Sequence, residues 1–149
     1  MKLRIEVVEG LAEDEVTIRC SRVGDSVQKL EMYINSLSRP KIIFYKGHQE
    51  FYMPIEEIFF FETDSQLVYA HTANDAFRVK VRLYELETML PHSFIRAAKG
   101  TIVNTSHIYS ISRNLASPSQ IRFTGTHKHV YVSRHYYQAL KVRMNERRV

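Results

Sequence analysis

The 149-residue chain has one cysteine, no tryptophan, five glycines and four prolines. A single thiol, Cys20, can staple nothing within the chain, and a reducing cytoplasm is the compartment it fits. Cys20 closes the alternating run Glu15-Val16-Thr17-Ile18-Arg19-Cys20, which reads as a strand residue rather than a nucleophile. The glycines form neither GxGxxG nor GxxxxGK(S/T), so no phosphate-cradling loop is encoded. Long hydrophobic runs are missing as well. The longest, Ile58-Phe59-Phe60-Phe61, is far too short to span a bilayer. The opening residues, Met1-Lys2-Leu3-Arg4-Ile5-Glu6-Val7, alternate apolar and charged side chains, the opposite of a signal peptide's apolar stretch. A soluble, cytoplasmic chain is expected, with any membrane link running through a partner or a surface contact.

The most telling absence is of acid. Between Thr88 and Asn145 there is no carboxylate, yet the stretch carries Arg96, Lys99, Arg113, Arg122, Lys128, Arg134, Lys141 and Arg143. Residues 1–75 hold 8 Lys+Arg against 13 Asp+Glu, and residues 76–149 hold 13 against 3, within a net charge of +5. Unrelieved like charges repel and destabilise a compact state, so such a field suits a polyanionic partner. Nucleic acid is the first expectation, ahead of an anionic membrane or an acidic protein.

Converging catalytic groups are also lacking. The seven histidines are scattered, and Glu56-Glu57 and Glu85/Glu87 read as solvated faces beside apolar positions. His127-Lys128-His129 would place two imidazoles on one face if extended, but no third ligand has fitting spacing. Contact with phosphate or solvent is the plainer reading of that basic segment. Neither catalysis, metal, cofactor nor small-molecule substrate is expected.

What is present is a succession of short strands. Two are expected near residues 2–8 and 15–20, joined by an acidic turn. A helix follows, capped by Asp25, with Val27, Leu30, Ile34 and Leu37 on one face. A border falls near Pro40, which restricts the residue before it and cannot extend the helix. Residues 1–40 thus read as a strand-strand-helix unit and residues 41–149 as a mainly β (α+β) domain. Strands flank Lys46-Gly47-His48, and others recur near 58–62, 67–71, 76–81, 101–103, 108–112, 120–124 and 129–132. A turn at Pro54–Glu57, a helix near 83–90 stopped by Pro91, and a last helix starting at Ser133 complete the pattern. Tyr137, Leu140 and Met144 form that helix's apolar face.

Reading duplex sequence requires side chains that reach base edges, since phosphate contacts position a protein without informing it. Cations on short constrained loops are the best candidates. Lys99 sits before Gly100 between two apolar segments, and Arg134 directly follows a strand at a helix start.

Read in order, five segments resemble the LytTR family of bacterial DNA-binding domains. Ile58-Phe59-Phe60-Phe61-Glu62 is similar to an early "I-x-(Y/F)-(F/I/L)-E" strand, and Leu83–Leu90, LYELETML, to a helix "L-x-E-L-E-x-x-L". Phe94–Asn104, FIRAAKGTIVN, is similar to "F-x-R-x-(H/S)-(R/K)-S-x-(I/L)-V-N". Ile108-Tyr109-Ser110-Ile111 matches "I-x-x-I", and Val132-Ser133-Arg134-His135-Tyr136 matches "V-S-R-x-(Y/H)". The matches run from about residue 42 to 144, and their order and spacing make the set specific. Ala98 departs from the usual His or Ser and Gly100 from Ser, which removes hydrogen-bonding side chains from that loop.

The resemblance implies short sheets in a β-β-β arrangement with small helices, and loops that enter successive major grooves. It implies base contacts by Lys99, Arg134 and the Thr63–Gln66 loop, through Ser65 and Gln66. DNA-backbone contacts are expected at Arg96, Thr101, Ser106, Arg113, Lys128 and His135, with a structural pairing as the other role open to Arg96. A receiver domain needs roughly 120 residues, and only about 40 precede the matched region, so the chain is unlike an ordinary two-component response regulator. It is similar to small stand-alone LytTR regulators, some held inactive by a membrane-protein partner. A homodimer on direct repeats of double-stranded DNA is expected. The first 40 residues would serve dimerisation, partner binding or capping. Two other classes stand beside this one: an RNA-binding module using some of the nine Tyr and eight Phe as stacking platforms, and an adaptor whose basic face docks an acidic protein.

Overall fold

The structure, a computed structural model, describes residues 1–38 and 41–147. It divides into two units, Met1–Ser36 and a larger one from Leu37 onward. The border expected at Pro40 falls outside the described residues.

The first unit corrects one expectation. Neither 2–8 nor 15–20 pairs as a strand, and no strand forms before Phe44 among the described residues. The physical reason is the lack of a surface to pack on: Leu3, Ile5 and Val7 are 86%, 82% and 90% exposed, and an isolated two-stranded pairing is marginal in water. Helix α1 spans Asp25–Ser38. Its cap lies one residue earlier than expected, because the Gly24 carbonyl already accepts the Gln28 N–H at 3.0 Å. Asp25 therefore sits in the first turn, where a carboxylate complements the helix dipole. Val27, Leu30 and Ile34 are half-buried, whereas Leu37 is exposed.

In the second unit, alternating apolar residues build two antiparallel sheets. The larger contains β1 (Phe44–Lys46), β2 (Gln49–Phe51), β3 (Phe60–Asp64), β4 (Leu67–His71), β5 (Ala76–Val79), β6 (Phe94–Ala98) and β7 (Thr101–Asn104). Its strand order is β2-β1-β5-β4-β3-β7-β6. The smaller sheet is β10-β9-β8, made of β8 (Ile108–Ser112), β9 (Ser119–Phe123) and β10 (His129–Val132). Helix α2 covers Leu83–Met89 and α3 covers Arg134–Glu146, while Ile55–Glu57 forms a 3-10 turn after Pro54. The mainly β class is thus correct.

Strand β6 is an addition to the sequence pattern. Phe94 and Ala97 are buried, but the register shifts between Arg96 and Ala98. A bulge breaks the period of two, and alanine is a weak strand former.

Two cores result. Phe44, Ile58, Phe61, Val68, Phe77, Leu83, Leu86 and Ile102 fill one, on the side covered by α2. Phe59, Phe60, Val103, Ile121, Phe123, Val132 and Leu140 fill the other, with Tyr137 and Met144 packed against it as the α3 pattern requires. Cations stitch α3 to the sheets. Arg143 Nη1 donates to the carbonyls of His92 and Phe94, and Arg147 Nη1 to those of Thr105 and Ile108, both at 2.7 Å.

Asn104, 1% exposed, joins the cores at the end of β7. Its Nδ2 donates to the Ile58 carbonyl at 3.0 Å and its Oδ1 accepts the Ser106 N–H at 3.1 Å. Replacing Asn104 by Leu leaves both backbone groups without their partner, at a cost of about 3 kcal/mol. Urea unfolding checks this, and a loss below about 0.5 kcal/mol would contradict the role.

Candidate nucleic-acid interface

The β3–β4 connection is a two-residue hairpin, since Asp64 pairs with Leu67 across Ser65 and Gln66. Both turn residues have positive φ, 50° and 69°. That is the backbone of the hairpin turn matching strand twist, which usually calls for Asn-Gly or Gly-Gly. Serine and glutamine there are strained by about 1–2 kcal/mol each. Both side chains are exposed, and Ser65 Oγ donates to Asp64 Oδ1 at 3.2 Å.

Beside this tip lies the β6–β7 turn, Lys99-Gly100, with Ala98 paired to Thr101. The Thr63 N–H donates to the Gly100 carbonyl at 2.9 Å, fastening the two tips together. A side chain at position 100 would meet only Thr63 Cβ, at an ordinary 3.7 Å. Sterics therefore do not require glycine there. Lys99 is exposed.

The third tip is the start of α3. The Ser133 N–H donates to the Ala97 carbonyl at 2.9 Å, two residues before Lys99. Ser133 holds the N-cap position, yet its hydroxyl makes no capping bond and is buried without a partner. Arg134 and His135 follow it, both exposed. Arg134 Nη2 donates to the Leu115 carbonyl at 3.1 Å, and the Arg113 guanidinium lies 5.3 Å from the Tyr137 ring centroid. Ser65, Gln66, Lys99, Arg113, Arg134 and His135 are thus brought to one end of the sheets.

Of the other expected residues, Arg96 and Thr101 lie near this end but are engaged within the fold, and Ser106 and Lys128 lie away from it. Arg96 donates to Glu87 Oε1 of α2 at 2.8 Å, so the pairing role describes it. Thr101 is 8% exposed in β7, opposite Glu62, and belongs to the sheet rather than the surface. Ser106 follows the far end of β7, a strand roughly 10 Å long whose near end follows the Lys99-Gly100 turn. Lys128 sits at the far end of β4, donating to the Asp75 carbonyl at 2.6 Å and to His71 Nδ1 at 3.2 Å. There the Thr126 hydroxyl also donates to the Ala73 carbonyl at 2.7 Å, so the β9–β10 turn is clamped onto the β4–β5 turn. Among the described residues, no group of three or more His, Cys, Asp or Glu is placed to hold a metal ion.

One cation at the candidate end escaped the sequence reading. Lys80 lies one step beyond the Val68–Val79 pair, exposed, with its ammonium 4.3 Å from the Tyr45 ring centroid. Its signal was the outward alternation Arg78-Val79-Lys80.

Comparison with known proteins accounts for this arrangement. The model of the LytTr DNA-binding domain matches residues 48–145. The chain belongs to the LytTR family. The family is one of DNA-binding domains, not of enzymes. The LytTR fold is also that of a solved domain from a Bacillus cereus protein described as a methyl-accepting/DNA response regulator. That domain has a TM-score of 0.64 and 23% identity, with 70% of this chain and 97% of that one covered. Two HTH-type transcriptional regulators of Staphylococcus aureus, themselves uncharacterised, are similar over 148 residues. Identity is 29% for strain NCTC 8325 and 30% for strain RF122, covering 97% of this chain and 99% of each relative.

Two outcomes test the geometry of this LytTR chain. Changing Ser65-Gln66 to Asn-Gly should raise stability by about 1–3 kcal/mol, the relief of both strains less the roughly 1 kcal/mol of chain entropy that glycine costs; unchanged urea midpoints would refute the strain. The second concerns His71, whose imidazole is held down to about 4 from 6.5 by burial and then by the Lys128 ammonium. Between those values the unfolded chain binds a proton that the folded chain refuses, so stability climbs with pH across this window. The contribution is complete above 6.5 and is lost as pH falls toward 4. Urea midpoints at acid and neutral pH should therefore differ less for His71→Gln than for the wild type.

Proposed function

We propose that this LytTR chain is a cytoplasmic transcription regulator that reads double-stranded DNA with three loop tips. Ser65-Gln66, Lys99 and Arg134 contact base edges in successive major grooves, and Arg113 and His135 contact phosphates beside them. Lys80 joins the phosphate set, whereas Arg96, Thr101, Ser106 and Lys128 leave it. The observation that carries the reading is the backbone fastening of the three tips, through Thr63 to Gly100 and Ser133 to Ala97. Loops held by main-chain bonds on a sheet aim side chains without ordering cost at binding.

The S. aureus relatives are described as of the helix-turn-helix type. Here each α-helix of the described residues is separated from the next by strands, which favours recognition by loops over a paired recognition helix. In the same reading two copies bind direct repeats, about one helical turn apart. No helix among the described residues is long and apolar enough to cross a membrane. The reading assigns any membrane restraint to a separate inhibitory partner protein.

Binding to promoter duplex against scrambled duplex, titrated through salt, tests the function. A preference that survives physiological salt supports it, while equal and steeply salt-sensitive binding would mean charge without readout. A preference for single strands would turn the reading to RNA. Arg134→Ala and Lys99→Ala should each cost about 1–3 kcal/mol on the specific duplex and little on the scrambled one. Lys128→Ala should leave duplex discrimination intact and lower stability instead. Equal losses on both duplexes would reduce Arg134 or Lys99 to a phosphate contact.

A further inference from the structure

We infer that residues 3–7 form the contact between two copies of this chain, as antiparallel strands centred on Ile5. The inference rests on the homodimeric part of the function proposed above and gives that dimer its surface.

No residue of Met1–Ser36 is buried, and the segment holds a row of large apolar side chains in water. Arg4 and Glu6 meet at 3.9 Å on one side of the chain. Side chains two apart do not face each other on a helix but do on an extended segment. Leu3, Ile5 and Val7 therefore share the opposite side, each more than four-fifths exposed. A strand-like edge with one apolar face and unpaired backbone groups is a template for pairing with another chain.

Charge decides which chain. Pairing with the segment 15–20 of the same copy, with apolar residues kept together, sets Leu3, Ile5 and Val7 against Cys20, Ile18 and Val16. That register puts Arg4 opposite Arg19. Shifted by two residues one way, it puts Glu6 opposite Glu15 and Lys2 opposite Arg19. Shifted the other way, it sets Glu6 opposite Arg19 without a like-charge clash, but it puts Leu3 opposite Arg22 and Glu9 opposite Val16, so the apolar face is broken at both ends. Directly opposed like charges destabilise a strand pair. Within residues 3–7, pairing with a second copy about Ile5 has neither a like-charge pair nor a charge set against an apolar residue. Leu3 then faces Val7, Ile5 faces Ile5, and Arg4 faces Glu6, twice over. A second copy satisfies the apolar face and the charges in one register, and no chain of other composition is needed to do so.

The test is the mass of the full-length chain by light scattering after size exclusion, across a concentration series. The wild type should dimerise. Arg4→Glu and Glu6→Arg each place like charges opposite one another at two positions, and each should weaken the dimer by roughly tenfold or more. The double variant carrying both changes should dimerise again. Mixing the two single variants should give a heterodimer, because each then supplies the charges the other lacks. A wild type that stays monomeric overturns the inference, as do single variants that dimerise like wild type or a mixture that recovers nothing. Promoter-duplex binding measured on the same samples keeps the two proposals apart. Lost sequence preference with an intact dimer sinks the DNA reading alone, and retained preference in a wild type without a dimer sinks this contact alone.

Discussion

The geometry of the candidate interface depends on one run, Ile58-Phe59-Phe60-Phe61, which feeds two cores. Ile58 and Phe61 enter the core beneath α2, while Phe59 and Phe60 enter the core shared with the smaller sheet and α3. β3 also lies between β4 and β7, so its main chain is paired along both edges. A one-residue slip of a strand turns every side chain to the other face. Here both faces are apolar cores of different shape, and a slip would misfill both. With the register fixed, Glu62 stands opposite Thr101 and the Thr63 N–H reaches Gly100. The tips at Ser65-Gln66 and Lys99-Gly100 are then set side by side by the core, and the Thr63 to Gly100 bond fastens them there.

Local imperfections gather at the same end. Ser65 and Gln66 adopt a backbone that suits neither. Among the described residues, the buried side-chain polar atoms without a partner are Arg96 Nε, three residues before Lys99, and Ser133 Oγ, one before Arg134. Buried unsatisfied groups are uncommon in folded proteins and tend to mark functional places. The far end, in contrast, is well bonded: Asp75 pairs with Lys46, Thr126 reaches Ala73, and Lys128 reaches Asp75 and His71. One end is clamped and the other carries the strain, as expected where a rigid scaffold supports residues whose partner is another molecule.

Much of this was legible in the sequence wherever period and punctuation agreed. The hairpin at Gly47, the strand 67–71, α2 before Pro91 and the apolar face of α3 all follow from alternation, helical spacing and breakers. The exposed tip positions of Lys99 and Arg134 were legible because constrained loops stand out between apolar segments. Other features were not. Strand β6 hides behind a bulge that breaks alternation. The two segments before α1 alternate like strands, but alternation records only which side is apolar, not whether a second strand exists to meet it. The polar break at Thr63–Gln66 was legible, but not its tight left-handed turn at Ser65-Gln66, because such a pair without glycine or asparagine is the exception to turn chemistry.

Charge was the least faithful guide to position. The carboxylate-free stretch suggested a field presented outward to a polyanion, yet several of its cations are spent inside the fold. Arg96 is paired with Glu87, Lys128 is bonded to main-chain oxygen and an imidazole, and Arg143 to the carbonyls of His92 and Phe94. Arg147, beyond that stretch, does the same for Thr105 and Ile108. A guanidinium has five donors and answers carbonyls left without strand partners as readily as phosphates. Net charge therefore indicates the class of partner and says little about where it sits. What singles out Lys99, Arg113 and Arg134 is that each is exposed on or beside a tip fastened to a sheet. Only a cation both exposed and aimed in this way converts general attraction for a polyanion into discrimination between sequences.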